Sequence, residues 1–249
     1  MTSAAHDRPT LIQVFLVALP VGLAVAVVVA LYIYQLRENR VAEPVAEGVY
    51  QKEPTAAALR DYVAKLGGDL VGERNQRDEN TLRALNAAAS LIEGALGPSN
   101  MGYAVHRQKI SPAGSGLYNV WVENPGQRNP TEIVEVRVGY DSPRKEDGIL
   151  RNAIGVAIAL ELAHAFSNTE NRRTVRFVFL ANQWDEAAQT KGSEVYDQLT
   201  DERRLKVVRG FDLDGDILAS YRRRDAISYA ALLEEVGGLR AEIIRAANR

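Results

Sequence analysis

The sequence predicts an α/β domain with a parallel-type sheet and helices on its faces, carried behind one membrane-spanning helix. Three observations lead there. Residues 11–34 contain no charged side chain. Beyond residue 130, β-branched runs alternate with segments of helical apolar spacing, which is the mark of strand–helix–strand units. The composition, 46% hydrophobic and 25% charged, is that of an ordinary globular chain.

The uncharged run LIQVFLVALPVGLAVAVVVALYIY exceeds the roughly 20 apolar residues that span a bilayer core as helix. Gln13 lies near its end, within reach of headgroups. Pro20 and Gly22 are tolerated in a membrane helix, and Tyr32 and Tyr34 sit where an interfacial aromatic belt is expected. A cleaved signal has a shorter apolar core and a small-residue cleavage site, and neither is evident. The expected organisation is therefore a tail (1–10), a transmembrane helix (11–34), a polar linker with Pro44, Gly48 and Pro54 (35–54), and an α/β domain (55–249). Arg37 and Arg40 follow the helix, offset by Glu38, while Arg8 and the α-amine precede it, offset by Asp7. Charge bias alone mildly favours an internal domain.

Within the domain, Leu59, Tyr62, Val63 and Leu66 recur at helical spacing over residues 55–66, and Gly67-Gly68 ends that helix. A loop through Gly72-Glu73-Arg74-Asn75 leads to a second helix over 79–96, stopped by Gly97-Pro98. Strands are expected over 103–110, 117–122 and 132–138. The last of these, EIVEVRV, alternates apolar and charged residues and suits a strand covered on one face. A long helix over 149–166, a strand over 174–180, a helix over 193–199 and a strand within 205–213 follow. The final helix spans about 226–247 and is expected to break at Gly237-Gly238.

Composition also limits function. The net charge of -2 suggests no nucleic-acid partner, and the absence of cysteine removes disulfides and thiolate metal sites. The only histidines are His6, His106 and His164.

Several strings, taken in order, resemble the co-catalytic zinc aminopeptidases of metallopeptidase family 28, clan MH. They are ALRDYVAKLGGDLVGERN, LYNVWVENPG, EIVEVRVGYDS, NAIGVAIALELAHAF, RRTVRFVFLAN and GSEVY, and the resemblance covers about residues 55–216. It implies the zinc-exopeptidase, phosphorylase/hydrolase-like fold, a three-layer αβα domain around a mixed, mostly parallel sheet. Residues 215–249 are few for the remainder of that fold, which implies a shortened C-terminus. Apolar surface left open by the shortening would invite a partner.

The family's chemistry needs two zinc ions, bound by histidine and carboxylate ligands, and a glutamate as general base. Carried over residue by residue, the resemblance puts Gly139 at the first zinc histidine and Arg151 at the bridging aspartate. Gln183 falls at the general base and Trp184 at the adjacent zinc glutamate. Glycine has no ligand atom, and a guanidinium repels dications. Asp141 keeps the place of the aspartate that would orient the lost histidine. Asp214 fits the later acidic ligand, with Asp212 and Asp216 as register alternatives, and no histidine follows His164. Zinc is expected lost and no other cofactor is implied.

Other features have plainer readings. Asp212, Asp214 and Asp216 alternate as in a calcium loop, but its twelfth position is Arg223 rather than glutamate. His106 and His164 lack metal spacing. Arg222-Arg223-Arg224 reads as a solvated loop that could touch anionic lipid. Trp184 reads as a plug in a former cleft, with a protein contact as the alternative, and Arg151 with Asp214 could form an ion pair in place of metal. The resulting expectation is a catalytically inactive, single-pass membrane protein. It would serve as an accessory, scaffolding or recognition subunit, bound to lipid through residues 11–34 and to other membrane-complex subunits. Its domain is placed outside the cytoplasm because members of the family commonly act there. The alternatives are an active zinc aminopeptidase and a module that binds peptides without cutting them.

Overall fold

The computed structural model describes residues 25–31, 51–69, 71–110, 116–143, 146–185, 188, 190–203, 205–213 and 227–249. The chain divides into two units, Met1–Val45 and Ala46–Arg249. In the first, residues 25–31 are helical, with Val25, Val27, Val28, Val29 and Leu31 exposed. The rest of the expected 11–34 helix lies outside the described residues. Among the described residues, no helix is long and apolar enough to cross a membrane.

The second unit contains five helices and five strands among the described residues. Helix α1 (Ala56–Ala64) is capped by Thr55, whose hydroxyl accepts from Ala58 N at 3.1 Å. It runs into a π-type turn, Lys65–Asp69, where Gly68 leaves helical geometry. Helix α2 (Glu79–Leu96) opens with a capping box between Asp78 and Thr81 and buries Leu85, Ala88, Ala89, Ile92 and Leu96, one stripe at helical spacing. Strands β1 (His106–Lys109), β2 (Tyr118–Asn124) and β3 (Asn129–Gly139) follow, then α3 (Glu146–Phe166), β4 (Arg173–Leu180), α4 (Gly192–Glu202), β5 (Lys206–Asp212) and α5 (Tyr229–Asn248).

The sheet order is β1-β2-β4-β3-β5. β3 pairs in parallel with both β4 and β5, whereas β2 is antiparallel to β1 and to β4. The sheet is thus mixed, and among the described residues its parallel part is confined to β4-β3-β5. A strand–helix–strand pattern identifies the parallel half; nothing in the spacing of the first two strands fixes which neighbour β2 takes. The chain steps from β3 to β4 in one direction, then back across β3 to β5. Right-handed crossovers in opposite directions require helices on opposite faces. Accordingly α3 packs on the face bearing Val134, Val136, Val138, Val175, Phe177 and Phe179, together with α1, α2 and α5. On the other face Tyr196 of α4 meets Trp121, Val178 and Leu180.

The charged face of β3 is not left to solvent. Glu135 is fully buried and accepts from the Tyr196 hydroxyl at 2.9 Å and from Arg137 Nε. Arg176 donates to Tyr196 at 2.9 Å and to Glu123 at 2.8 Å. The strand therefore has both faces covered at its centre, because α4 brings a hydroxyl that lets the charges satisfy one another. His106 stacks on Trp121 with ring centroids 5.2 Å apart, a packing role.

Helix α5 runs unbroken through Gly237 and Gly238. Burial of Leu232, Val236, Ile243 and Ala247 outweighs the roughly 1 kcal/mol per glycine that local propensity opposes to helix. Both glycines are exposed, and a Cβ at either meets nothing within 4 Å. Gly237→Ala should therefore stabilise the domain by about 0.5–1 kcal/mol in urea unfolding.

Glu132 fastens three strands at their amino ends, accepting from Arg173 Nε of β4 at 2.7 Å and Lys206 Nζ of β5 at 2.9 Å. Arg173, then Lys206 and Asn129, hold its carboxyl down at about 2 against an ordinary 4.5. A depressed carboxylate stabilises the folded state above its unfolded value and loses that contribution as pH falls through the folded one. Glu132→Gln should be less stable than wild type near neutral pH, and the gap in urea midpoint should close as the pH falls from about 4.5 towards about 2.

Candidate functional site at the carboxyl edge of the sheet

Because α3 and α4 lie on opposite faces, the chain segments leaving neighbouring β3 and β4 diverge at their carboxyl ends. In α/β sheets such a switch point opens a crevice in which ligands bind. β3 delivers Gly139, Tyr140, Asp141 and Ser142 to this edge, and β4 delivers residues 181–185.

A buried guanidinium organises one side. Arg74 is wholly buried and donates to Tyr140 O at 2.9 Å, Gly72 O at 2.8 Å, Asn152 Oδ1 at 2.5 Å and Leu66 O. Its backbone N–H donates to Ser142 Oγ at 2.8 Å, and Ser142 N donates back to Arg74 O at 2.7 Å. Asn152, in α3, completes the circuit by donating to Gly139 O at 2.6 Å. Burial pushes the guanidinium down to about 10, with Asp141 opposing the shift, so it stays charged at neutral pH.

The other side is a turn held by its backbone. Asp141 accepts from Gln183 N and Trp184 N, each at 2.8 Å, and from Asp185 N at 3.1 Å. Burial raises its carboxyl above the usual range, against the pull of these amides. Lys191 Nζ donates to Asp185 O at 2.8 Å and Gln183 O at 3.1 Å. Asn182 adopts a left-handed φ of 57°, which asparagine tolerates better than most residues, and accepts from Gln76 Nε2 at 2.9 Å. Behind the turn, Gly192 N donates to Ala181 O at 3.0 Å. Asn119 accepts from Ala181 N at 3.1 Å and donates to Gly192 O at 2.8 Å. A Cβ on Gly192 would stand 2.4 Å from both Ala181 O and Asn119 Oδ1, so only glycine fits.

The family model for peptidase family M28 matches residues 119–242. The α/β unit belongs to peptidase family M28. Solved structures similar in fold include LapB from Legionella pneumophila, with a TM-score of 0.51 and 17% identity over 64% of this chain and 43% of that one. A putative zinc-dependent exopeptidase from Bacteroides vulgatus gives 0.46 and 16% identity over 67% and 62%. A glutaminyl cyclase from Bacteroides thetaiotaomicron, bound to N-acetylhistamine, gives 0.44 and 16% identity over 65% and 62%. The chain thus spans less than two thirds of the length of these structures. No curated protein sequence matches it significantly.

The M28 relationship raises the question of whether the described residues at this edge could hold zinc. Gly139 ends β3 with no side chain, and its carbonyl already accepts from Asn152. Asp141 is occupied by three backbone amides. Gln183 offers an amide, whose Nε2 donates to Ala181 O at 3.1 Å. Trp184 offers no lone pair. Among the described residues, no group of three or more His, Asp or Glu side chains could share a metal ion. These residues do not fit a zinc pair. Arg151 lies in α3, but its side chain is outside the described residues, as are Asp214 and Asp216, so their expected ion pair is outside them too. Asp212 ends β5 and is exposed.

Two expectations change. Asp141 has work that the resemblance did not imply: it caps the 183–185 turn in place of orienting a ligand. Trp184 is no core plug; it is 37% exposed, because the amides on which Asp141 pulls hold its side chain out on the turn. The holding roles of Arg74, Asn119, Asn152 and Lys191 were also unread. The available signal was an arginine between Gly72 and Asn75, and asparagines inside apolar runs, since such residues are buried only when their hydrogen bonds are met.

Arg74→Lys should lower stability by about 3 kcal/mol in thermal or urea unfolding, because an ammonium cannot span four divergent acceptors. A loss below about 1 kcal/mol, the range of an ordinary single hydrogen bond, would show that the circuit does not depend on the fork.

Proposed function

We propose that this chain is a non-catalytic M28 member, anchored in a membrane through residues 11–34, that serves as an accessory or recognition subunit of a membrane assembly. The observation that carries the reading is the residue set at the zinc and base positions: Gly139, Arg151, Gln183 and Trp184. None can replace a histidine, bridging aspartate, general base or zinc glutamate. The residues that build the edge (Arg74, Asn119, Asp141, Asn152, Gly192) are present and bonded to one another or to the loops. A hydrogen-bonded scaffold without metal donors supports binding rather than hydrolysis. The anchor is supported by the charge-free run and by the exposed valines of residues 25–31. The domain is assigned to the outside of the cytoplasm by analogy with the family.

A second reading, a module that captures peptide ends without cutting them, is favoured by the exposed indole of Trp184 at the crevice. It would show as saturable peptide binding without turnover.

The test uses the whole chain purified in mild detergent, with zinc determined by elemental analysis and aminoacyl-p-nitroanilide hydrolysis followed with and without chelator. The expected result is substoichiometric zinc and no chelator-sensitive hydrolysis. Two zinc ions per chain, with hydrolysis abolished by chelator, would make the protein an aminopeptidase instead.

A further inference from the structure

Strand β5 is an edge of the sheet: among the described residues its only strand neighbour is β3. Lys206, Val207, Arg209 and Gly210 are exposed along it. An edge presents a row of unpaired N–H and C=O groups, which is a template for another strand. Beside it, β5 and the end of α5 enclose a cleft of about 540 Å³ with Val208 and Phe211 in its walls.

Four arginines line that cleft: Arg173, Arg209, Arg245 and Arg249. Arg173 is taken up by Glu132 and by Ala246 O. Arg209 lies over the Phe211 ring, 5.3 Å from its centroid. Among the described residues, no ion pair involves Arg209, Arg245 or Arg249. Glu242 is the single acidic side chain lining the cleft. Three uncompensated guanidinium groups next to an open strand edge oppose pairing with a second copy, since that would bring like charges together. The same groups favour a strand of opposite sign.

We propose that β5 and its cleft bind an extended acidic segment of a partner protein, which adds to the sheet as a further strand. Backbone hydrogen bonds to β5 would supply affinity, and carboxylates on Arg209, Arg245 and Arg249 would supply selectivity. The cleft reaches from Arg173 at the start of β4 along β5 to Phe211, and none of the residues placed at the carboxyl edge of β3 and β4 lines it. It stands whatever chemistry that edge has.

The experiment titrates the whole chain in neutral detergent with a fluorescein-labelled, acetylated and amidated peptide of alternating Glu and Val. Two other peptides serve as probes: one of equal charge with Pro in place of each Val, and one with Lys in place of each Glu. The alternating acidic peptide should bind saturably, about tenfold more weakly to Arg209→Glu and to Arg245→Glu, while the Pro and Lys peptides bind at least about tenfold more weakly to the wild-type chain. Equal binding of the Pro peptide would reduce the cleft to a plain anion patch and overturn the proposal. Unchanged binding to both charge-reversed chains, each checked for a wild-type circular dichroism spectrum, would do the same. Should a reversal unfold the domain, the three-peptide comparison on the wild-type chain decides alone.

Discussion

A guanidinium removed from water must find an oxygen for its N–H groups, or the fold is penalised for each one left bare. Arg74 finds its oxygens in four separate pieces of chain: the turn after α1, its own loop, the residue after β3, and α3 through Asn152. Apolar packing brings α1, α3 and the sheet together, and Arg74 fixes how their ends meet. Once they do, β3 has a fixed end, Asn152 can hold Gly139 O, and Asp141 stands where it can gather the amides of the 183–185 turn. The carboxyl edge is thus set by one cation and one carboxylate, each satisfied mainly by main chain.

This arrangement explains why much of the fold was legible in the sequence and why much of the site was not. Helices α2 and α3 and strands β2 to β5 are written in apolar spacing, and α2 agrees with its reading at both ends because Asp78 and Gly97 mark them. Pattern fails where long-range packing decides. The Gly237-Gly238 pair signals a break that burial of the flanking apolar stripe overrides. The alternating charges of β3 signal an open face, yet α4 closes it with Tyr196. The zinc positions are assigned through the resemblance alone, since no spacing of donors in the chain points to them. The employment of Asp141 was not legible, because the partners of a carboxylate are backbone amides some forty residues away, and amides carry no signature in sequence.

The two ends of the strands have different characters. At the carboxyl end of β3 and β4, polar groups are engaged by the fold itself, and the exposed feature is the indole of Trp184. Beside β5, Arg209, Arg245 and Arg249 stand without an ion pair among the described residues, while Arg173 at the start of β4 is held by Glu132. Engaged polar groups at one end and, among the described residues, arginines beside an edge strand at the other give the two ends different surfaces to present.

Gly192 illustrates how such a molecule changes over generations. With no clearance for even one extra carbon, that position resists substitution by any single step, and so does Asn152, which serves two partners at once. Trp184, whose indole is exposed on its turn, is under no such steric limit. A position locked by backbone contact on every side thus constrains descent more tightly than one whose side chain stands in the open.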